Sequence, residues 1–279
     1  MNILNFLKKY TEKKIYYKPN PGNGGDALIA AGAFKIFKQL NLDVEIIKGT
    51  NYDHLKNKIV LYAGGGNLVN EYTNCANFIQ ANKDKVEELI ILPHTVNGHK
   101  ELLSSLDERV TLFCREEYSY NKLKSENLKI NIFLDHDLAF YLDPIDFSAR
   151  SGPTISKRLY ATQMLKKMIF SKDRKTLMAF RVDAEKTLIE IPKDNIDVSN
   201  AINHVVAMYP ESMVHKTVQD LFQFLNYFDT IKTNRLHIAI AGALLKKEVF
   251  MYSNSYYKNK AIFEFSLKGK YKNVVFYDK

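Results

Sequence analysis

Ile15-Tyr16-Tyr17-Lys18-Pro19-Asn20-Pro21-Gly22-Asn23-Gly24-Gly25-Asp26 opens the part of the chain that decides its fold. The first four residues read as a short strand and the Pro- and Gly-rich run as a turn. Ala27 to Leu40 follows as a periodic helix, with Leu28, Ala31, Phe34, Ile36 and Phe37 available for its buried side. Strand, glycine-rich turn and helix is the layout that brings backbone N–H groups close to a ligand. The spacing is not G-x-G-x-x-G and no G-K-[ST] follows, so neither a dinucleotide loop nor an ATP loop is implied. Asp26, at the start of the helix, has two open readings: a helix cap or a catalytic base.

The same grammar continues downstream. Val44–Ile47, Ile59–Ala63, Glu88–Leu92, Val110–Cys114 and Ile130–Leu134 read as apolar strands separated by helical or turn segments. Gly64-Gly65-Gly66-Asn67-Leu68 follows the third strand and leads into an expected helix reaching about Gln80. Pro93-His94-Thr95-Val96 closes the fourth strand. Arg115-Glu116-Glu117 ends the fifth, with a local ion pair expected there, and Asp135-His136-Asp137 ends the sixth. Near-continuous apolar strands alternating with helices predict a parallel sheet covered on both faces. Polar and glycine signatures gather at the C-terminal strand ends, where open α/β sheets bind ligands.

After Pro144, Gly152 and Pro153 the rhythm breaks. Ile155 to Phe170 reads as a basic amphipathic helix with Lys157, Arg158, Lys166 and Lys167, either a solvated crossover or a patch that touches an anionic membrane surface. Thr176–Phe180 restarts the pattern and ends in Arg181-Val182-Asp183-Ala184-Glu185. Val218–Phe228 and Leu236–Leu245 read as helices, Val249–Tyr252 and Val274–Tyr277 as strands, and Lys258–Phe265 as a helix. The expected fold class is α/β: two Rossmann-like parallel-sheet halves, residues 1–148 and 149–279, facing a cleft.

Thr233-Asn234-Arg235-Leu236-His237 starts the most apolar of these helices. A helix N-terminus presents free N–H groups and partial positive charge, and an Arg and a His there suit a phosphate or carboxylate. An ordinary buried helix with two polar residues reaching solvent is the other reading.

A formal charge of +9 favours anionic ligands without choosing among them, and no nucleic-acid motif accompanies it. The two cysteines, Cys75 and Cys114, are far apart and imply no disulfide framework. No signal peptide and no transmembrane span is read at the N-terminus, so the expectation is a cytoplasmic protein, with peripheral contact to the inner membrane face left open by its charge. Asp135, His136 and Asp137 lack a third ligand at sensible spacing. Helix capping or inter-domain hydrogen bonding is therefore expected of them, and no metal.

Taken in order, Gly22–Asp26, Gly64–Leu68, Leu92–Thr95, Arg115–Tyr120, Asp135–Phe140, Arg235–His237 and the Asn254–Lys260 stretch resemble the polysaccharide pyruvyl transferase family. The resemblance implies a fold like the GT-B glycosyltransferases. It also implies transfer of a pyruvyl group from phosphoenolpyruvate to two hydroxyls of a sugar, in exopolysaccharide, capsule or cell-wall glycan synthesis, without a cofactor. It assigns Arg181, Arg235, Leu236 and His237 to the donor. Asn23, Gly65, Gly66, Asn67 and His94 are expected on the acceptor side, although the family often has Gln at the His94 position. His237 is expected as the acid, or as a phosphate ligand assisting departure, and Asp26, in the first half, as the base. The acceptor's carrier (nucleotide, lipid or polymer) and the oligomeric state are left open. Two alternatives stand beside this reading: a GT-B glycosyltransferase using a nucleotide sugar, and a non-catalytic sugar-phosphate-binding subunit of a polysaccharide assembly system.

Overall fold

A computed structural model describes residues 1–148, 162, 173, 175–183, 189–204 and 207–278. The basic stretch 155–170 lies, apart from Thr162, outside the described residues. The chain divides into two compact units. One comprises Met1–Asn20 with Gly32–Tyr141, the other Pro21–Ala31 with Leu142–Lys279.

The first unit is built on seven parallel strands: β1 (Lys14–Lys18), β2 (Asp43–Ile46), β3 (Ile59–Tyr62), β4 (Gly65–Val69), β5 (Glu88–Asn97), β6 (Val110–Cys114) and β7 (Asn131–Leu134). Their order is β2-β1-β3-β5-β6-β7, with β4 paired to β5. β3 and β6 are buried at every position, which is why they read as unbroken apolar runs. On one face Val60, Tyr62, Leu89, Ile91 and Leu112 pack with Phe78 and Ile79 of the Asn74–Asn82 helix and Leu123 of the Glu117–Ser125 helix. Elsewhere in this core Tyr17 meets Phe34 and Phe37 edge-on, and Phe6 of the N-terminal helix Ile3–Leu7 meets Phe113. The Asp135 carboxylate anchors that short helix by accepting the Ile3 N–H at 2.6 Å.

Two expectations change here. The Gly65–Val69 run is a strand, and the helix after it starts only at Asn74. The strand expected to stop at Leu92 runs on to Asn97. The two departures have one cause, since the glycine strand pairs with the far end of β5 through Gly65↔His94, Leu68↔Val96 and Val69↔Asn97. Gly65 takes φ +145°, a conformation that side chains rarely adopt. Pro93 is tolerated because β5's pairing with β6 shifts register between Ile91 and His94.

The second unit carries four parallel strands: β8 (Thr176–Met178), β9 (Thr230–Thr233), β10 (Glu248–Tyr252) and β11 (Val274–Tyr277), in the order β11-β10-β9-β8. Its largest helix among the described residues, Glu211–Asn226, begins seven residues before the expected Val218, because Val214 and Thr217 extend its buried face. The helix Leu236–Leu244 is buried apart from His237 and Leu244, as its apolar sequence requires. The helix that follows the first glycine turn, Gly24–Gln39, starts three residues before the expected Ala27. Asn23 and Asp26 explain the shift. Asn23 Oδ1 accepts the Gly25 N–H at 2.8 Å, while Asp26 Oδ2 accepts the Asn23 N–H at 2.9 Å. This reciprocal capping draws the two glycines into the first turn.

Candidate functional site

In the second unit the ends of β8 and β9 are tied together by side chains that act on backbone. Asn234 Oδ1 accepts the Arg181 N–H at 2.8 Å, and Thr233 donates its hydroxyl to the Ala179 carbonyl at 2.6 Å. Asn195 brackets Phe180, accepting its N–H at 2.7 Å and donating to its carbonyl at 3.0 Å. Asn259 Nδ2 donates to the Asn234 carbonyl at 2.8 Å. These bonds fix the main chain on both sides of two arginines that are almost wholly buried, Arg181 at 6% exposure and Arg235 at 5%.

The two guanidinium groups meet on carboxylates. Arg235 donates to Asp197 from Nε at 2.9 Å and from Nη2 at 2.5 Å. Arg181 donates to Asp183 from Nε at 2.6 Å and from Nη2 at 3.0 Å, and Arg235 Nη2 lies 2.9 Å from the same Asp183 carboxylate. The sequence placed both arginines at strand ends but did not reveal the two aspartates. Asp183 stands two residues from Arg181, which was the available signal; Asp197 stands in a segment without clear periodicity. Lys258 is another cation the sequence reading passed over, buried in the same unit with its ammonium 5.0 Å from the Tyr256 ring centroid.

His237 lies in the first turn of the Leu236–Leu244 helix, which Arg235 precedes as the cap residue. It is half-buried, whereas the Leu236 side chain is buried, leaving Leu236 its backbone N–H as the group to offer a ligand. Gly25 makes room for the imidazole: a Cβ there would stand 2.8 Å from His237 Nδ1 and 3.2 Å from its Cβ. Gly24 similarly abuts the Ile202 carbonyl, which a Cβ would approach to 2.5 Å, and Asn203 donates to the Gly22 carbonyl at 3.0 Å. The turn bearing Asn23 and Asp26 is therefore packed beside His237, within the second unit, and not with the sheet that precedes it in sequence.

The first unit gathers its own polar cluster. The strand order reverses between β1 and β3, and such a switch point is where open α/β sheets hold ligands. Asn20, just beyond β1, donates to the Gly64 carbonyl just beyond β3 at 2.6 Å. Asn67 donates to Asn20 Oδ1 at 2.9 Å and to the Tyr62 hydroxyl at 3.3 Å, and its own Oδ1 lies 2.8 Å from His94 Nε2. Gly66 and Asn67 are partly exposed, whereas Gly65 is buried and His94 has no exposed surface. The expectation that His94 contacts an acceptor directly is thus corrected: it holds Asn67 from behind. Burial, first, and the Arg115 charge, second, push its pKa down to about 3, against weak opposition from the Leu92 and Ala63 carbonyls and Asp137. The ring is neutral, and its Nε2 faces both Asn67 Oδ1 at 2.8 Å and the Asn67 backbone nitrogen at 3.3 Å, so the tautomer decides whether it donates to the first or accepts from the second.

Arg115 finds a different partner from the one expected. Its Nη1 pairs with Asp137 at 2.6 Å and its Nε donates to Thr95 Oγ1 at 2.9 Å, with both charged groups fully buried. Glu116 instead caps the Glu117–Ser125 helix by accepting the Ser119 N–H, and burial raises its pKa. Asp137 Oδ1 accepts the Ala139 N–H at 2.9 Å, the capping role foreseen for this pair of aspartates. Among the described residues no group of His, Cys, Asp and Glu is placed to hold a metal ion. Among them, too, no helix is long and apolar enough to cross a membrane.

Residues 23–256 match the family described as polysaccharide pyruvyl transferase. A Bacillus subtilis protein, EpsO, whose name assigns it provisionally as a pyruvyl transferase, is 25% identical in an alignment of 296 positions covering 96% of this chain and 89% of the relative. A crystal structure of a functionally uncharacterised protein from Klebsiella pneumoniae superposes with a TM-score of 0.80 at 30% identity, covering 98% of this chain and 96% of the other.

Proposed function

The chain belongs to the polysaccharide pyruvyl transferase family, and from that premise we propose that it moves a pyruvyl group from phosphoenolpyruvate onto two hydroxyls of one sugar residue, forming a ketal and releasing phosphate. The observation that carries this reading is the pair of buried arginines whose planar groups converge beside a helix N-terminus bearing His237. A donor with a carboxylate and a phosphate calls for two forked cations and for main-chain N–H groups, and this unit offers both.

In the proposed reaction His237 gives a proton to the methylene carbon of phosphoenolpyruvate, leaving cationic character on the carbon that bears phosphate. A sugar hydroxyl attacks that carbon and the C–O bond to phosphate breaks. The second hydroxyl then closes the ring. Asp26, fixed by the Asn23 N–H, takes the first hydroxyl's proton, and the second hydroxyl's proton leaves with the phosphate. The contact between Gly25 and His237 supports pairing these two groups as base and acid. In the first unit Gly65, Gly66 and Asn67 are the groups offered to an acceptor, with His94 setting the orientation of the Asn67 amide; in the second unit the group offered is Asn23. No cofactor takes part, and the reaction is assigned to the cytoplasm.

Thermal-shift titration tests the donor assignment, because a ligand held by the native state alone raises the melting temperature with its concentration. Stabilisation by phosphoenolpyruvate that disappears in Arg235→Ala is the expected result. A response restricted to UDP- or GDP-sugars, with release of the nucleoside diphosphate, would favour the glycosyltransferase reading. Stabilisation by phosphoenolpyruvate without turnover on any acceptor would favour the non-catalytic subunit.

A further inference from the structure

We propose that Asp183 is an internal anion that occupies the paired arginines between turnovers and is exchanged for the donor. The inference rests on the donor reading of Arg181 and Arg235. Its basis is an asymmetry between the two aspartates. Asp197 has a side chain 11% exposed, forks onto Arg235 and also accepts from Asn200 Nδ2 at 3.0 Å; among the described residues it does not touch Arg181. Its backbone is fixed as well, for its carbonyl accepts the Asn200 and Ala201 N–H groups at 3.1 and 2.9 Å. Asp183 is 30% exposed, and among the described residues it is the carboxylate that touches both arginines. It lies 2.6 and 3.0 Å from Arg181 nitrogens and 2.9 Å from Arg235 Nη2, which is the bridging geometry an incoming carboxylate or phosphate would adopt.

Charge counting leads to the same conclusion. Among the described residues two carboxylates face the two guanidinium groups and offset part of their charge, so an anionic donor gains less attraction from the cluster as it stands. If Asp183 stayed in place, the donor's negative groups would lie against it. Swinging the Asp183 side chain aside restores the positive charge of both arginines, and Asp197 keeps Arg235 aimed meanwhile. Asp197 is then a positioning residue and Asp183 a competitor for the same donors. A site open for only a fraction of the time binds its ligand more weakly by that fraction.

The test is calorimetric titration of the full chain with inorganic phosphate and, separately, with phosphoenolpyruvate, on wild type, Asp183→Asn and Asp197→Asn. Steady-state phosphate release is measured on the same proteins, and melting curves confirm that they fold. Exchange predicts that Asp183→Asn binds both anions roughly 10-fold or more tightly than wild type, corresponding to occupancy of the arginines by Asp183 for at least about nine-tenths of the time. It predicts a lower KM for that variant, and weaker binding by Asp197→Asn. Unchanged or weaker binding by folded Asp183→Asn would overturn exchange and make Asp183 a fixed support; so would the absence of phosphate binding in every variant. Wild-type turnover of phosphoenolpyruvate without tightening in Asp183→Asn would reject exchange and leave the donor reading intact. Tightening toward phosphate with no use of phosphoenolpyruvate would reject the donor reading and leave exchange intact.

Discussion

His94→Gln isolates the part of the first unit's acid sensitivity that comes from one buried imidazole. The ordinary histidine pKa of 6.5 falls to about 3 in the folded chain, chiefly through burial and then through the Arg115 charge. A depressed histidine is neutral when folded and protonates when unfolded, so the unfolded state binds the extra proton as pH falls below 6.5. Stability is therefore fully present above that pH and declines as pH falls toward the folded value. At pH 5.0 the gap below the ordinary value is about one and a half units, at about 1.4 kcal/mol per unit, which gives about 2 kcal/mol lost relative to pH 7.5. A glutamine carries both a donor and an acceptor to stand in for the ring nitrogen that faces Asn67. At pH 7.5 the variant should stand within about 1 kcal/mol of wild type. Urea unfolding followed by circular dichroism at both pH values checks this. Wild type should lose about 2 kcal/mol more than the variant between pH 7.5 and 5.0. Equal losses in the two proteins would refute the reasoning, because the other titrating groups are common to both.

Asp137→Ala strips the buried Arg115 of its carboxylate and removes the bond to the Ala139 N–H, and should destabilise the first unit by roughly 3–5 kcal/mol in the same urea experiment. Gly25→Ala places a methyl 2.8 Å from His237 Nδ1 and should lower phosphate release about 10-fold or more through a displaced imidazole, with the circular dichroism spectrum unchanged. Gly24→Ala meets the Ile202 carbonyl at 2.5 Å, where backbone cannot give way cheaply, and should cost roughly 1–3 kcal/mol in melting experiments. Arg235→Lys cannot fork onto Asp197 and a ligand together, so calorimetry should find phosphoenolpyruvate bound roughly 10- to 100-fold more weakly.

The sequence was most readable where one strand's own residues decided its fate. Ile59–Tyr62 and Val110–Cys114 are buried throughout, and their unbroken apolar runs announced a covered parallel sheet. The Leu236–Leu244 helix was legible for the same reason. Legibility failed where a distant partner decided. Gly65–Val69 becomes a strand only because the far end of β5 offers it backbone groups. Arg115 has acidic neighbours in sequence, yet it pairs with Asp137, 22 positions away, because burial leaves no water to support a looser local pair. Asp197 reaches Arg235 across 38 positions, and no short-range pattern encodes that fork. His94 is expected on the acceptor side, and the strand's continuation to Asn97 carries it inside.

Phosphate release from phosphoenolpyruvate across a panel of glycan acceptors, followed on wild type, Arg235→Ala and His237→Ala, tests the proposed chemistry most directly. The predicted result is acceptor-dependent release in wild type, one phosphate for each acid-labile pyruvate ketal recovered on the glycan, and loss of both products in folded Arg235→Ala and His237→Ala. Release of a nucleoside diphosphate from a nucleotide sugar, with phosphoenolpyruvate left intact on every acceptor, would contradict it.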